Sequence, residues 1–211
     1  MSRRSFISTL GASGAAAALG GQAEARLAAP IEDGPVVLGP EPVEVALTIN
    51  GRAVKTKLDP ATTLLDALRL NLQMTGSKEV CDRGSCGGCS VLVDGRLVAS
   101  CMMLALDAVG HDITTIEGLA QGDTLDPIQE AFVRYDAFQC GFCTPGMIMA
   151  CKALLNETPK PTMEQIRKGL SGNICRCGAY TNVFSAVLEA SDQAVPVDQP
   201  VPADHTDGGG A

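Results

Sequence analysis

A two-part α+β fold is what the sequence predicts, and three observations predict it. Up to about residue 118, short runs alternate apolar with polar residues and are separated by tight-turn pairs. Beyond that point apolar residues recur at helical spacing, opened by helix-capping signals. Eight of the nine cysteines fall into two groups of four, one group in each part. With 211 residues and 45% hydrophobic content, the chain can bury a sizeable core, and it contains no internal repeat.

The elements follow in order. Val43, Val45, Leu47 and Ile49 alternate, Asn50-Gly51 supplies a two-residue turn, and a second strand covers 53–57. Thr62 or Thr63 can cap a helix running to about Leu72, with Leu64, Leu65, Leu68 and Leu72 on one face. A glycine- and cysteine-rich loop occupies 81–89. Residues 90–93, an Asp94-Gly95 turn and 97–99 read as a hairpin, and 113–116 as a last strand. In the second part, Asp126-Pro127-Ile128-Gln129 carries a cap, a proline at the first helical position and Gln at the third, predicting a helix to about Phe138. Thr144-Pro145 opens a helix to about Asn156, Thr162-x-x-Gln165 one to about Gly169, and a fourth covers 182–191.

Composition excludes several functions. A formal charge of −8 argues against nucleic-acid phosphates as partners. Aromatic residues make up 3% of the chain and Trp is absent, so neither a porin-like girdle nor a base-stacking surface is expected. His111 and His205 stand alone in the sequence and read as surface residues. No Ser/His/Asp set or carboxylate pair is legible, so no catalytic residue is assigned.

The chain starts Met1-Ser2-Arg3-Arg4-Ser5-Phe6-Ile7, a twin-arginine pattern. An apolar Ala- and Gly-rich stretch to Leu19 and the small-x-small Ala23-Glu24-Ala25 follow, so residues 1–25 read as an export signal. The apolar run is shorter than the roughly 20 residues a membrane span needs. No other segment could cross a bilayer. Twin-arginine signals address a route for folded proteins, which points to the periplasm with any cofactor inserted beforehand. Four prolines mark residues 26–42 as a linker, and three more with a Gly-Gly-Gly-Ala ending mark 193–211 as a tail.

The first cysteine group is Cys81-x4-Cys86-x2-Cys89 followed by Cys101, the plant-type ferredoxin spacing for a [2Fe–2S] cluster. Gly84, Gly87 and Gly88 let the loop wrap closely, so backbone N–H groups can face cluster sulfurs. The rivals are a four-cysteine zinc site and disulfides. Structural zinc usually takes two short hooks of paired ligands, whereas three of these cysteines crowd one nine-residue loop. The second group, Cys140-x2-Cys143 and Cys175-x-Cys177, is less specific, because Cys-x2-Cys also serves zinc and thiol redox chemistry. Helix N-termini beside both pairs would favour anionic ligands there. Cys151, left over inside a helix, reads as a small buried hydrophobe.

Three stretches in order, Cys81-Asp82-Arg83-Gly84-Ser85-Cys86-Gly87-Gly88-Cys89-Ser90-Val91, Gln139-Cys140-Gly141-Phe142-Cys143-Thr144-Pro145-Gly146 and Gly172-Asn173-Ile174-Cys175-Arg176-Cys177-Gly178, resemble the small iron–sulfur subunit of the xanthine oxidase (molybdenum hydroxylase) family. The resemblance covers residues 43–192, and is strongest to the periplasmic aldehyde oxidoreductase branch. It implies a plant-type ferredoxin-like (β-grasp) domain over 43–118, then a four-helix [2Fe–2S]-binding domain over 119–192. It also implies two [2Fe–2S] clusters, a partner subunit holding a molybdopterin dinucleotide, and usually another holding FAD. In the family the helical-domain cluster lies beside the pterin and the ferredoxin-like one nearer the flavin. The positions that contact the pterin are Gln139 and Cys177 here. Two residues depart from the family's usual pattern: Val80 where Gly often precedes the first cysteine, and Gly88 where Ala is usual.

The function expected is therefore electron transfer within an exported molybdenum hydroxylase that oxidises aldehydes to carboxylic acids in its partner subunit. The same subunit in an N-heterocycle hydroxylase of isoquinoline or nicotinate type is one alternative. A stand-alone ferredoxin or redox sensor is another, and a zinc module a third; a free carrier has no need for Gln139 or a pterin-facing surface.

Overall fold

The structure, a computed structural model, describes residues 38–196. The expected signal, residues 26–37 of the expected linker, residues 197–211 of the expected tail and His205 lie outside the described residues. Mixed strands and helices make the fold α+β.

A five-stranded sheet carries β1 (Val43–Ile49), β2 (Arg52–Leu58), β3 (Ser90–Val93), β4 (Arg96–Ala99) and β5 (Asp112–Thr114), in the order β2-β1-β5-β3-β4. β1 runs parallel to β5, and every other pairing is antiparallel. Asn50 and Gly51, both at positive φ, form the expected turn between β1 and β2. β5 ends two residues before the expected 116, because the Asn50 side chain takes over Thr115. Its Oδ1 accepts the Thr115 N–H at 2.9 Å and its Nδ2 donates to Thr115 Oγ1 at 3.0 Å.

The first helix starts as expected, with Thr63 Oγ1 accepting the Asp66 N–H. It is not a regular α-helix to Leu72, however. Only α1 (Leu64–Asp66) is α-helical, and a π-helical turn, Ala67–Asn71, continues it. The Leu72 N–H reaches back five residues to the Ala67 carbonyl, widening the turn while keeping Leu64, Leu65 and Leu68 buried.

Four helices follow Gly118: α2 (Pro127–Arg134), α3 (Thr144–Glu157), α4 (Met163–Gly169) and α5 (Tyr180–Ala190). The capping boxes at Asp126/Gln129 and Thr162/Gln165 form as the sequence predicts. α2 stops at Arg134, short of Phe138, because Asp136 turns into the left-handed region and the Ala137 N–H closes back on the Phe132 carbonyl. α5 begins two residues earlier than expected and ends at Ala190.

β3 explains how the parts join. All four of its residues are buried. Val91 and Val93 pack with Leu47, Leu64, Leu68 and Ile113 on one side of the sheet. Leu92 packs into the helical core with Phe132, Met147, Met149 and Val187. A strand covered on both faces reads as a continuous apolar run rather than an alternating one. At about 1.5–3 kcal/mol for each large apolar side chain buried, this strand is a principal anchor of the helices. Among the described residues no helix is long and apolar enough to cross a membrane.

Candidate iron–sulfur sites

The loop between α1 and β3 turns through Asp82, Gly84 and Gly87, all at positive φ, and carries Cys81, Cys86 and Cys89. Cys101 comes from the 3-10 turn after β4. Ser100 fixes that turn to the loop, its Oγ donating to the Cys89 carbonyl at 2.7 Å. All four cysteines thus meet in one place, two of them (Cys89 and Cys101) buried. Backbone N–H groups face their sulfurs, Gly84 donating to Cys101 Sγ at 3.3 Å and Gly88 to Cys86 Sγ at 3.5 Å.

The thiols interact as pairs, Cys81 with Cys86 and Cys89 with Cys101. The Arg83 backbone N–H, then the Cys86 side chain, lower the Cys81 thiol to about 7. Burial, only partly opposed by the Gly84 N–H, pushes Cys101 up to about 11.

The second group is assembled by helix starts. Cys143 caps α3, Cys140 precedes it, and Cys175 and Cys177 lie between α4 and α5. Again the thiols pair, Cys140 with Cys177 and Cys143 with Cys175. The Phe142 backbone N–H and the Cys177 side chain lower Cys140. Burial pushes Cys143 up to about 12. Burial also opposes ionisation of Cys175, yet N–H groups of Ala179, Gly178 and Cys177, with the Cys143 side chain, bring it below the ordinary thiol value. The Ala179 N–H, at the start of α5, reaches Cys175 Sγ at 3.5 Å.

None of the nine cysteines is in a disulfide. Among the described residues, no group of three or more His, Cys, Asp or Glu side chains is placed to hold one metal ion. Two thiol pairs per site, with N–H groups turned to sulfur, fit a two-iron centre in which each iron takes two thiolates. The ninth cysteine, Cys151, is fully buried in α3, and burial drives its thiol pKa far up.

Gln139 and Cys177 are brought together. Gln139 Nε2 donates to the Cys177 carbonyl at 3.5 Å, and both residues are exposed. Close to them in the chain, Phe142 and Ile174 are 52% and 51% exposed, large apolar side chains left open to solvent. His111 is on the surface as expected but is not isolated, its Nδ1 lying 2.5 Å from Asp94 Oδ2.

Three residues with a part in these sites carried no role in the sequence reading. Tyr180 Oη accepts the Cys175 N–H at 2.8 Å and donates to the Asn173 carbonyl at 3.4 Å. Asn173 and Gly146 lie where the two groups meet. The Ile174 N–H donates to the Cys86 carbonyl at 2.9 Å, so one hydrogen bond links the two cysteine sets. Each of these residues stands inside or just beside a cysteine motif, which was the available signal. The departures at 80 and 88 also prove related. A Cβ added at Gly88 would lie 2.7 Å from Val80 Cγ2, so the larger residue at 80 occupies the space that the smaller one at 88 vacates.

Two family models match the chain, a 2Fe-2S iron-sulfur cluster binding domain over residues 47–112 and a [2Fe-2S] binding domain over 115–188. The aldehyde oxidoreductase iron-sulfur-binding subunit PaoA of Escherichia coli (strain K12) is 44% identical over 169 residues, covering 73% of this chain and 74% of that one. The xanthine dehydrogenase iron-sulfur-binding subunit of Escherichia coli O157:H7 is 43% identical over 151 residues, 71% of this chain and 94% of that one. Among solved structures, quinoline 2-oxidoreductase from Pseudomonas putida 86 matches with a TM-score of 0.70 at 39% identity, over 72% of this chain and 95% of that one. The aldehyde oxidoreductase of Desulfovibrio gigas matches with a TM-score of 0.67 at 39% identity, over 71% of this chain and 17% of that one.

Proposed function

The chain belongs to the iron–sulfur subunits of the xanthine oxidase (molybdenum hydroxylase) family, and from that premise we propose how its residues serve electron transfer. Cys81, Cys86, Cys89 and Cys101 hold one [2Fe–2S] cluster and Cys140, Cys143, Cys175 and Cys177 the other. Once bound, such clusters supply one-electron oxidation and reduction, while substrate chemistry stays in a molybdopterin-binding partner. The ferredoxin-like domain spans 43–118 and the four-helix [2Fe–2S]-binding domain 119–192.

The observation that carries this reading is the placement of the second set. Cys140 and Cys177 reach the surface beside Gln139, with Phe142 and Ile174 exposed close by in the chain, while Cys86 is linked to the set through the Ile174 hydrogen bond. Such a surface suits a partner that covers Gln139 and Cys177 and brings a pterin to them. An obligate interface of this kind buries on the order of 2,000 Å² or more. The first set then faces an FAD subunit or another acceptor.

Aldehyde oxidation to carboxylic acid is the partner's reaction in this proposal, supported by likeness to the Escherichia coli PaoA subunit. The likeness to quinoline 2-oxidoreductase favours a second reading, hydroxylation of an N-heterocycle. Co-purification tests the whole. About four irons per chain, and molybdenum in a co-eluting larger subunit, are expected. Either aldehyde or heterocycle should then reduce the iron–sulfur centres in rapid mixing. Stoichiometric zinc in place of iron defeats the ligand sets. A monomer that never meets a molybdenum subunit makes the chain a stand-alone ferredoxin.

Export to the periplasm by the twin-arginine route is part of the proposal, supported by Arg3, Arg4 and the apolar stretch after them. Arg3→Lys with Arg4→Lys should strand the protein in the cytoplasm with both clusters present. Fractionation followed by iron analysis checks it, and efficient export of a cluster-free Cys86→Ser chain contradicts the order of folding before transport.

A further inference from the structure

Asn173 is 5% exposed and donates from one side-chain nitrogen to two carbonyl oxygens, those of Gly87 and Gly146, both at 3.0 Å. Ser90 Oγ lies 3.4 Å from the same nitrogen. Each partner is tied to a cysteine. Gly87 sits between Cys86 and Cys89, Ser90 follows Cys89, Gly146 is three residues after Cys143, and Asn173 itself is two before Cys175.

The junction has no slack. A Cβ on Gly87 would lie 2.5 Å from the Asn173 nitrogen, and one on Gly146 would lie 2.2 Å from the Gly87 oxygen. Tyr180 braces the Asn173–Cys175 segment through its hydroxyl. The Ile174 N–H, next along the chain from Asn173, makes the bond to the Cys86 carbonyl.

We propose that Asn173 is a positioning residue for electron transfer, its amide fixing the separation and relative orientation of the two cysteine sets. The proposal rests on the ligand sets given above. When one electron passes between the centres, one is oxidised and the other reduced, and no bond or proton moves. What the protein sets in that step is the distance and the atoms between, and those are what Asn173 holds. A donor amide suits this place because its one nitrogen carries two N–H bonds, enough to reach a carbonyl of the cysteine loop and a carbonyl of the first turn of α3 at once.

The test uses the full-length holoprotein, wild type against Asn173→Ala and Asn173→Asp, both of which remove the amide and no thiolate. Iron content, melting temperature and the electron paramagnetic resonance of the fully reduced protein are measured. In wild type the two reduced centres should split each other's signals. The expected result is unchanged iron with that splitting lost or altered in both variants. Wild-type splitting at full iron content, accompanied only by a lower melting temperature, makes Asn173 a scaffold residue and overturns the proposal. So does a wild type with both centres and no splitting. If neither variant folds, Asn173→Ser, which keeps one short donor, carries the comparison, and its failure to fold also assigns a scaffold role. A wild type without two centres refutes the ligand sets instead, through its iron content alone.

Discussion

Gly146→Ala is expected to cost about 3 kcal/mol or more of stability and most of the bound iron, a large effect for one methyl group. The added Cβ would lie 2.2 Å from the Gly87 oxygen and 3.1 Å from both the carbonyl carbon and the Cα of Gly88. All three atoms are backbone, so no side chain can rotate away. Relief requires that the first turn of α3 move off the cysteine loop. That movement breaks the two hydrogen bonds by which Asn173 joins them. Overpacking alone typically costs about 1–3 kcal/mol. Losing those two hydrogen bonds adds about 0.5–1.5 kcal/mol each, the Gly87 carbonyl keeping only the Ser90 N–H at 3.2 Å. Against a total stability of about 5–15 kcal/mol for a folded domain, the sum is a severe loss. Gly172→Ala is the matched control, because nothing lies within 4 Å of its Cβ position. Denaturant unfolding and iron analysis of both variants check the expectation. Equal stability and iron content for the two would show that the loops do not meet as closely as described.

The junction that makes Gly146 critical was the least legible part of the sequence. Local patterns were readable: the alternation of β1, the Asn50-Gly51 turn, and the caps at Asp126 and Thr162 each involve residues a few positions apart. The grouping of the cysteines was readable too, because their spacing in the chain already separates the two sets. What differed depended on distant partners or on local backbone geometry. The end of β5 is decided by Asn50, 65 positions before Thr115. The π-helical turn after α1 and the early stop of α2 reflect backbone choices that apolar periodicity does not encode. Asn173 and Gly87 are 86 positions apart, and no rule of spacing pairs a buried amide with a particular carbonyl. β3 gave a partial clue, because Ser90-Val91-Leu92-Val93 lacks the polar alternation of a strand with one wet face. That run was the sequence's trace of the contact between the two parts.

Cys175→Ser should reduce the iron from about four to about two per chain and remove one of the two paramagnetic signals. Cys175 is the most enclosed of the second set, 7% exposed, with its sulfur against Cys143 and the Ala179 N–H. A serine hydroxyl fits the space but stays protonated where a thiolate is the iron ligand. The neighbouring Cys143 already belongs to the set, so it has no second thiolate to offer in place of the lost one. The first set shares no thiol with this one, so its centre should remain. Cys151→Ala supplies the control for losing a buried thiol from the same core. It should keep all the iron and cost roughly 1 kcal/mol. Retention of four irons in Cys175→Ser would mean that the second set has a different fourth ligand. Loss of all iron would mean something else. The Cys86 loop, held to Ile174 by its carbonyl and to Asn173 through Gly87, would then require an occupied second site to keep its own shape.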